Sequence, residues 1–138
     1  SIGVSNFHQE HLEKIIENTG EIPVVNQIEC HPWLQQAELR RYQHKLGIVT
    51  ESWSPLARGQ LLKEKTLQTI AKKDQSSTAQ VILGWHKKIG NVPIAKSVNP
   101  TRIKENIESN IPLDAQDLEL IKSIDLRRRI GPDPYTIC

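Results

Sequence analysis

Residues 92–106 read VPIAKSVNPTRIKEN. A short apolar run, Val92-Pro93-Ile94-Ala95, stops at Lys96-Ser97. Asn99-Pro100 then opens a helix in the usual way, with an N-cap residue followed by proline at the first helical position. This is one strand–turn–helix unit, and the rest of the sequence repeats the pattern. Ile2-Gly3-Val4 runs through Ser5-Asn6 into HQEHLEKIIENTG (8–20), where Leu12, Ile15 and Ile16 share a helical face closed by Gly20. Ile22 to Ile28 is rich in β-branched residues and is broken by His31-Pro32. Ala37, Leu39, Tyr42 and Leu46 then mark a helix ending at Gly47. Ile48 to Trp53 leads through SPLARG (54–59) into two helices, one carrying Leu67, Ile70 and Ala71 and the other spanning Thr78–Lys88. A last helix opens at Asp114 and carries Leu118, Ile121 and Ile124.

Four strands joined through helices predict an α/β fold with a parallel sheet. Two architectures fit: a doubly wound open sheet, or part of a (β/α)8 barrel. Eight such units take about 250 residues, so four units in this length are half a barrel. In both folds ligands gather at the C-terminal ends of the strands. That rule selects Ser5 and Asn6, Gln27 to His31, Trp53 to Gly59, and Lys96 to Asn99.

Composition narrows the class. The length of 138 residues predicts a single domain. A net charge of +2 gives no electrostatic footprint for nucleic acid. No apolar run approaches a membrane-spanning length. Cys30 and Cys138, far apart in sequence, are expected to be free thiols in a reducing, cytoplasmic setting. The chain contains no Met, and its first strand starts abruptly beside Ser1, so it is expected to be a fragment of a longer protein.

At the strand ends, Lys96-Ser97 before a helix start is a candidate anion site, because the first helical amides are unpaired donors at the positive end of a dipole. Arg102, one turn on, adds a guanidinium fork. The same pattern also fits a solvated basic helix face. Trp53 is placed either to stack on a planar ligand or to fill the core. SPLARG has neither a G-x-G-x-x-G nor a Walker signature. Asn26 and Gln27 are amides in an apolar strand that need partners, structural or from a ligand. Glu29, Cys30 and His31 resemble a metal set in composition only, since neighbouring strand residues point to opposite faces. No metal site and no catalytic Ser-His-Asp set or Cys-His pair is predicted.

GVSNF (3–7), VNQIECHPW (25–33), ESWSPLARGQLL (51–62) and IAKSVNPTRIKEN (94–106) resemble, in order and spacing, the aldo-keto reductases. The GPDP tail and the Trp of SWSPL are similar to the branch of diketogluconate reductases and prostaglandin F synthases. The resemblance implies that the four strands are the fifth to eighth of a (β/α)8 TIM barrel, making residues 1–138 a C-terminal half-barrel. It implies that the complete enzyme reduces aldehydes or ketones with NADPH.

The resemblance further implies that Ser5, Asn6 and Gln27 hold the nicotinamide carboxamide and that Trp53 stacks on its ring. Ser54, Pro55, Leu56, Arg58 and Gly59 would line the pyrophosphate. Lys96, Ser97, Val98, Asn99 and Arg102 would surround the adenosine 2′-phosphate, with Glu105 and Asn106 near the adenine. The family's catalytic Asp, Tyr, Lys and His belong to the other half of the barrel, so no residue here is assigned as catalytic, His31 included. The implied partners are a small carbonyl substrate and the missing N-terminal half or a second copy. Three features depart from the family pattern: Ala95 before Lys96, Tyr135 where an acidic residue is common, and the Ile137-Cys138 end. A different reading is a truncated, non-catalytic module that binds a nucleotide or assembles with itself.

Overall fold

Four strands pair in chain order into one parallel sheet: β1 (Gly3–Ser5), β2 (Val25–Glu29), β3 (Val49–Trp53) and β4 (Val92–Ile94). The computed structural model describes residues 1–136, so Ile137 and Cys138, with the second expected thiol and the departure at the chain end, lie outside the described residues. Each strand leads into helix: α1 (Gln9–Thr19), α2 (Ala37–Lys45), α3 (Lys65–Lys73) with α4 (Thr78–Lys88), and α5 (Pro100–Ile107) with α6 (Ala115–Ser123).

The helix ends follow the residues that cap them. Gly20 takes a left-handed φ of 70° and returns its amide to the Ile16 carbonyl at 2.8 Å, closing α1. Ser77 with Gln80 and Asp114 with Asp117 form reciprocal capping boxes on α4 and α6. Asn99 Oδ1 accepts from the Arg102 amide at 3.1 Å and starts α5. The second strand begins later than its β-branched run suggests, at Val25 and not Ile22. Pro23 interrupts that run and has no amide to donate. SPLARG is more ordered than a plain loop, because Ala57–Lys63 forms two short 3-10 pieces separated by a kink at Arg58 and Gly59, which take φ of 54° and 86°.

Strand alternation separates two faces. Asn26, Ile28, Thr50 and Ser52 lie buried on the side covered by helices. The core there joins Ile28 and Cys30 to Leu67, Ile70, Val81, Ile82, Trp85 and Ile121, from α3, α4 and α6. Burying each such aliphatic side chain stabilises the fold by roughly 1.5–3 kcal/mol. Lys73 ties α3 to α6 through Asp117, at 2.5 Å, and Asp114, at 3.0 Å.

The opposite face is bare. Val49, Val92 and Ile94 keep 47%, 45% and 49% of their surface exposed. Helix α5 has no buried residue, and its Ile107 is 71% exposed. Closing a barrel would turn such a face inward and leave no open edge.

One buried group sets a pH dependence. His86, on α4, has no exposed surface, and no hydrogen bond reaches either ring nitrogen among the described residues. Burial pushes its pKa down to about 3. Above the ordinary value of 6.5, folded and unfolded chains both hold this imidazole neutral. Between 6.5 and about 3 only the unfolded chain takes up the proton, so stability falls as pH falls, by at most about 1.4 kcal/mol per pH unit. His86→Leu should flatten the loss of thermal midpoint between pH 6.5 and 5. An unchanged slope in that variant contradicts the assignment.

Candidate functional site

The register brings the first group of candidate residues together. Ser5 pairs with Gln27 and Gln27 with Glu51, while Glu29 pairs with Trp53 and Trp53 with Ile94. Residues of one parity share a face, so Ser5, Gln27, Glu51 and Trp53 all lie on the bare side. Ser5 Oγ donates to the Gln27 carbonyl at 3.2 Å. Asn6 sits in the left-handed region at φ 59°, and its Oδ1 accepts from the Trp53 indole N–H at 2.8 Å. Gln27 Nε2 donates to Glu51 Oε2 at 2.9 Å, a partner that the apolar setting of the strand did not reveal.

The two strand amides divide. Asn26 faces the helices and is fully used at both ends by Phe7, accepting from its amide at 3.3 Å and donating to its carbonyl at 2.9 Å. That is a structural role. Gln27 faces the open side with only its donor engaged among the described residues.

After β3 the backbone takes an unusual course. Ser54, Ala57 and Arg58 have φ of 49°, 48° and 54°, and Gly59 follows at 86°. A non-glycine residue held there costs on the order of 1 kcal/mol or more. The turn is closed by the Ala57 amide on the Ser54 carbonyl and the Gly59 amide on the Leu56 carbonyl, each at 2.8 Å. Pro55 is buried, Leu56 half-buried and Arg58 exposed.

The remaining candidates form a second group after β4. Lys96 is exposed two residues beyond Ile94, which pairs with Trp53. Ser97 Oγ accepts from the Asn99 amide at 3.2 Å, shaping the turn into α5. Val98 is 81% exposed. Arg102 and Glu105 are exposed on α5, and Asn106 is half-buried. Among the described residues neither Lys96 nor Arg102 has an acidic partner within 4.0 Å, although Lys104 on the same helix pairs with Glu108 at 3.9 Å. No hydrogen bond joins this group to the Ser5–Trp53 group among the described residues.

Sequence reasoning missed what holds the tail. Glu29 is fully buried and accepts from the Ile130 amide at 2.6 Å and the Gly131 amide at 3.2 Å. His31 Nε2 lies 3.1 Å from its Oε1, and Arg129 stands 3.8 Å from its Oε2. Burial alone would raise this carboxyl's pKa. The His31 bond and the two amides outweigh burial and hold it below the usual glutamate range. Cys30 faces the other way, toward Asn91, and burial raises its thiol to about 11. Among the described residues no group of three or more acidic, His or Cys side chains is placed to hold a metal ion. Farther along the tail, Tyr135 stacks on His8 with ring centroids 4.2 Å apart.

Comparison with known proteins places this geometry in a lineage. The model of the aldo/keto reductase family matches residues 1–126. An aldo-keto reductase of Mycolicibacterium smegmatis is 50% identical over 137 residues, covering 99% of this chain and 50% of that protein. The methylglyoxal reductase DkgA of Escherichia coli K12 is 44% identical, covering 97% of this chain and 50% of that protein. Among solved structures, a variant of Gox0644 in complex with NADPH superposes with a TM-score of 0.93 at 47% identity, over 100% of this chain and 52% of that one. The aldo-keto reductase MGS-M4, from a Medee basin deep-sea metagenome library, gives 0.94 at 34% identity, over 100% of this chain and 52% of that one. The chain thus spans about half the length of the curated relatives it matches. Its four βα units are half of the eight-unit barrel, and the chain belongs to the aldo/keto reductase family.

Proposed function

We propose that this chain is the NADPH-binding half of a cytoplasmic aldo-keto reductase whose complete form reduces small aldehydes or ketones to alcohols. The observation that carries the reading is the indole of Trp53, held by Asn6 at the strand ends beside a polar floor of Ser5 and Gln27. These groups suit a flat ring bearing a carboxamide. Ser5 offers a hydroxyl, Gln27 has an amide oxygen with no partner among the described residues, and Trp53 offers an apolar face. The left-handed turn Ser54–Gly59, with Pro55, Leu56 and Arg58, suits the pyrophosphate, since positive-φ residues present backbone donors to anions.

Lys96 and Arg102 stand exposed at the start of α5, without ion-pair partners among the described residues. Together with the unpaired helical amides they suit a phosphate monoester, the 2′-phosphate that distinguishes NADPH from NADH. Ser97, Val98 and Asn99 shape that turn, and Glu105 and Asn106 lie one turn further on, toward the adenine. When bound, NADPH supplies the hydride that reduces a carbonyl carbon. The residues of this chain bind and orient it; none of them is assigned as the acid that protonates the new alkoxide.

The bare sheet face and the unburied α5 favour completion of the barrel by further chain, and we assign that role to an N-terminal half. In the full-length protein Ile107 would then be buried, and Ile107→Asp should lower stability by about 1.5–3 kcal/mol in denaturant titrations. A change below about 0.5 kcal/mol, the range of ordinary surface substitutions, contradicts completion of the barrel at this edge.

The cofactor reading is tested on the same protein by quenching of tryptophan fluorescence. NADPH should quench, and NADH should bind more weakly. Lys96→Ala and Arg102→Ala should each weaken NADPH by about 10- to 100-fold, as expected for one charge-assisted hydrogen bond, while leaving NADH nearly unchanged. Equal losses for both cofactors contradict the 2′-phosphate assignment.

A further inference from the structure

Glu29 lies outside every cofactor contact proposed above, yet it is the most heavily engaged carboxylate on the bare face. It stands directly beside Trp53 in the parallel register, on the same side of the sheet. Its carboxylate gathers the amides of Ile130 and Gly131, with His31 and Arg129 completing its surroundings. The tail is thereby drawn across the end of β2 and laid against the neighbouring indole.

The fit is tight at one point. A Cβ added at Gly131 would fall 2.4 Å from Trp53 Cη2, 3.0 Å from Cζ3 and 3.5 Å from Glu29 Oε2. Gly131 therefore touches the benzo end of the ring with bare backbone. The other end is fixed by the hydrogen bond from the indole N–H to Asn6. A ring held at both ends has neither of its side-chain torsions free, because rotation about either one breaks a contact. The Asn6 bond comes from the turn after β1 and the Gly131 contact from the tail, more than a hundred residues away, and Glu29 delivers the second.

We infer that Glu29 is a positioning residue: it fixes Gly131 against Trp53 and so sets the orientation of the indole that receives the cofactor ring. The inference rests on the reading of Trp53 as that platform. Glu29 is assigned no contact with cofactor or substrate; its effect passes through Gly131. A displacement of about 1 Å at a reacting centre costs up to about 100-fold in rate, so loosening or crowding the ring should appear in turnover before it appears in stability.

The test uses the full-length protein with NADPH, and with methylglyoxal as a probe carbonyl. Gly131→Ala keeps the Glu29 side chain and drives a methyl group against the indole. It should lower kcat by about 10- to 100-fold with little change in thermal midpoint. In a Trp53→Phe background, which removes the benzo atoms that the methyl would strike, the same substitution should change kcat by about 2-fold or less. That non-additivity is the signature of action through the ring. Glu29→Gln keeps the shape of the side chain but loses the charge that binds Arg129 and His31. It should fall between wild type and Gly131→Ala in kcat, with a matching change in the tryptophan emission maximum.

Equal effects of Gly131→Ala in the two backgrounds overturn the inference, as does a Glu29→Gln protein with wild-type kcat and emission. The reading beneath it fails separately. If Trp53→Phe alone leaves NADPH binding and turnover unchanged, Trp53 is not the platform, whatever Gly131 does.

Discussion

A β-strand gives its side chains alternately to two faces, and in this molecule that parity does most of the sorting. Asn26 and Gln27 are chemically near-identical neighbours. One is consumed by Phe7 beneath the helices, while the other is left on the open face with Glu51 and Ser5. Glu29 and Trp53, paired across β2 and β3, follow the same parity. A one-residue slip of β2 would send Gln27 and Glu29 into the apolar core beside Ile70 and Ile82, and would bring Ile28 out to the floor of the site. The helices that cover the other face, through Leu67, Val81 and Ile121, are what make that slip costly.

The energetics of the strand ends are asymmetric. The core side is stabilised by ordinary apolar burial. The open side spends some of that stability on left-handed Asn6, Ser54, Ala57 and Arg58, and on a buried carboxylate whose charge needs several donors. Such local cost is tolerated where surrounding packing over-determines the backbone, and it gathers where a ligand needs backbone donors presented in a fixed pattern. In this chain four of the left-handed non-glycine residues follow β1 and β3, while Gln36, Gln75 and Arg127 take the same conformation elsewhere.

Much of this was legible in the residues. The four strand–helix units follow from apolar runs, caps and glycines. Asn99-Pro100 and Asp114 mark helix starts because their side chains serve the amides that follow locally. Ser5, Asn6, Gln27 and Trp53 fall together because parallel register follows from unit order. What stayed hidden depends on distance along the chain. The role of Glu29 stayed hidden because its partners, Ile130 and Gly131, are 101 and 102 positions away and engage it through backbone amides that carry no sequence signature. Glu51 as the partner of Gln27, and Tyr135 on His8, were hidden for the same reason. The kinked course of Ala57–Lys63 was hidden differently, since positive φ at Ala57 and Arg58 runs against the preference of both residue types.

The strand order also bears on how such a fold is assembled from parts. Each strand pairs only with its neighbours in sequence, so no connection crosses over another strand. A cut made between any two units therefore severs only one strand ladder and one loop of the sheet, but also separates bonds that reach past the neighbouring unit, such as Trp53 to Asn6 or Ile130 to Glu29. The same geometry lets a βα unit be exchanged with two strand seams and those few longer-range bonds to repair. Modular growth of the sheet is built into its topology, and the residues at each strand end travel with their own strand.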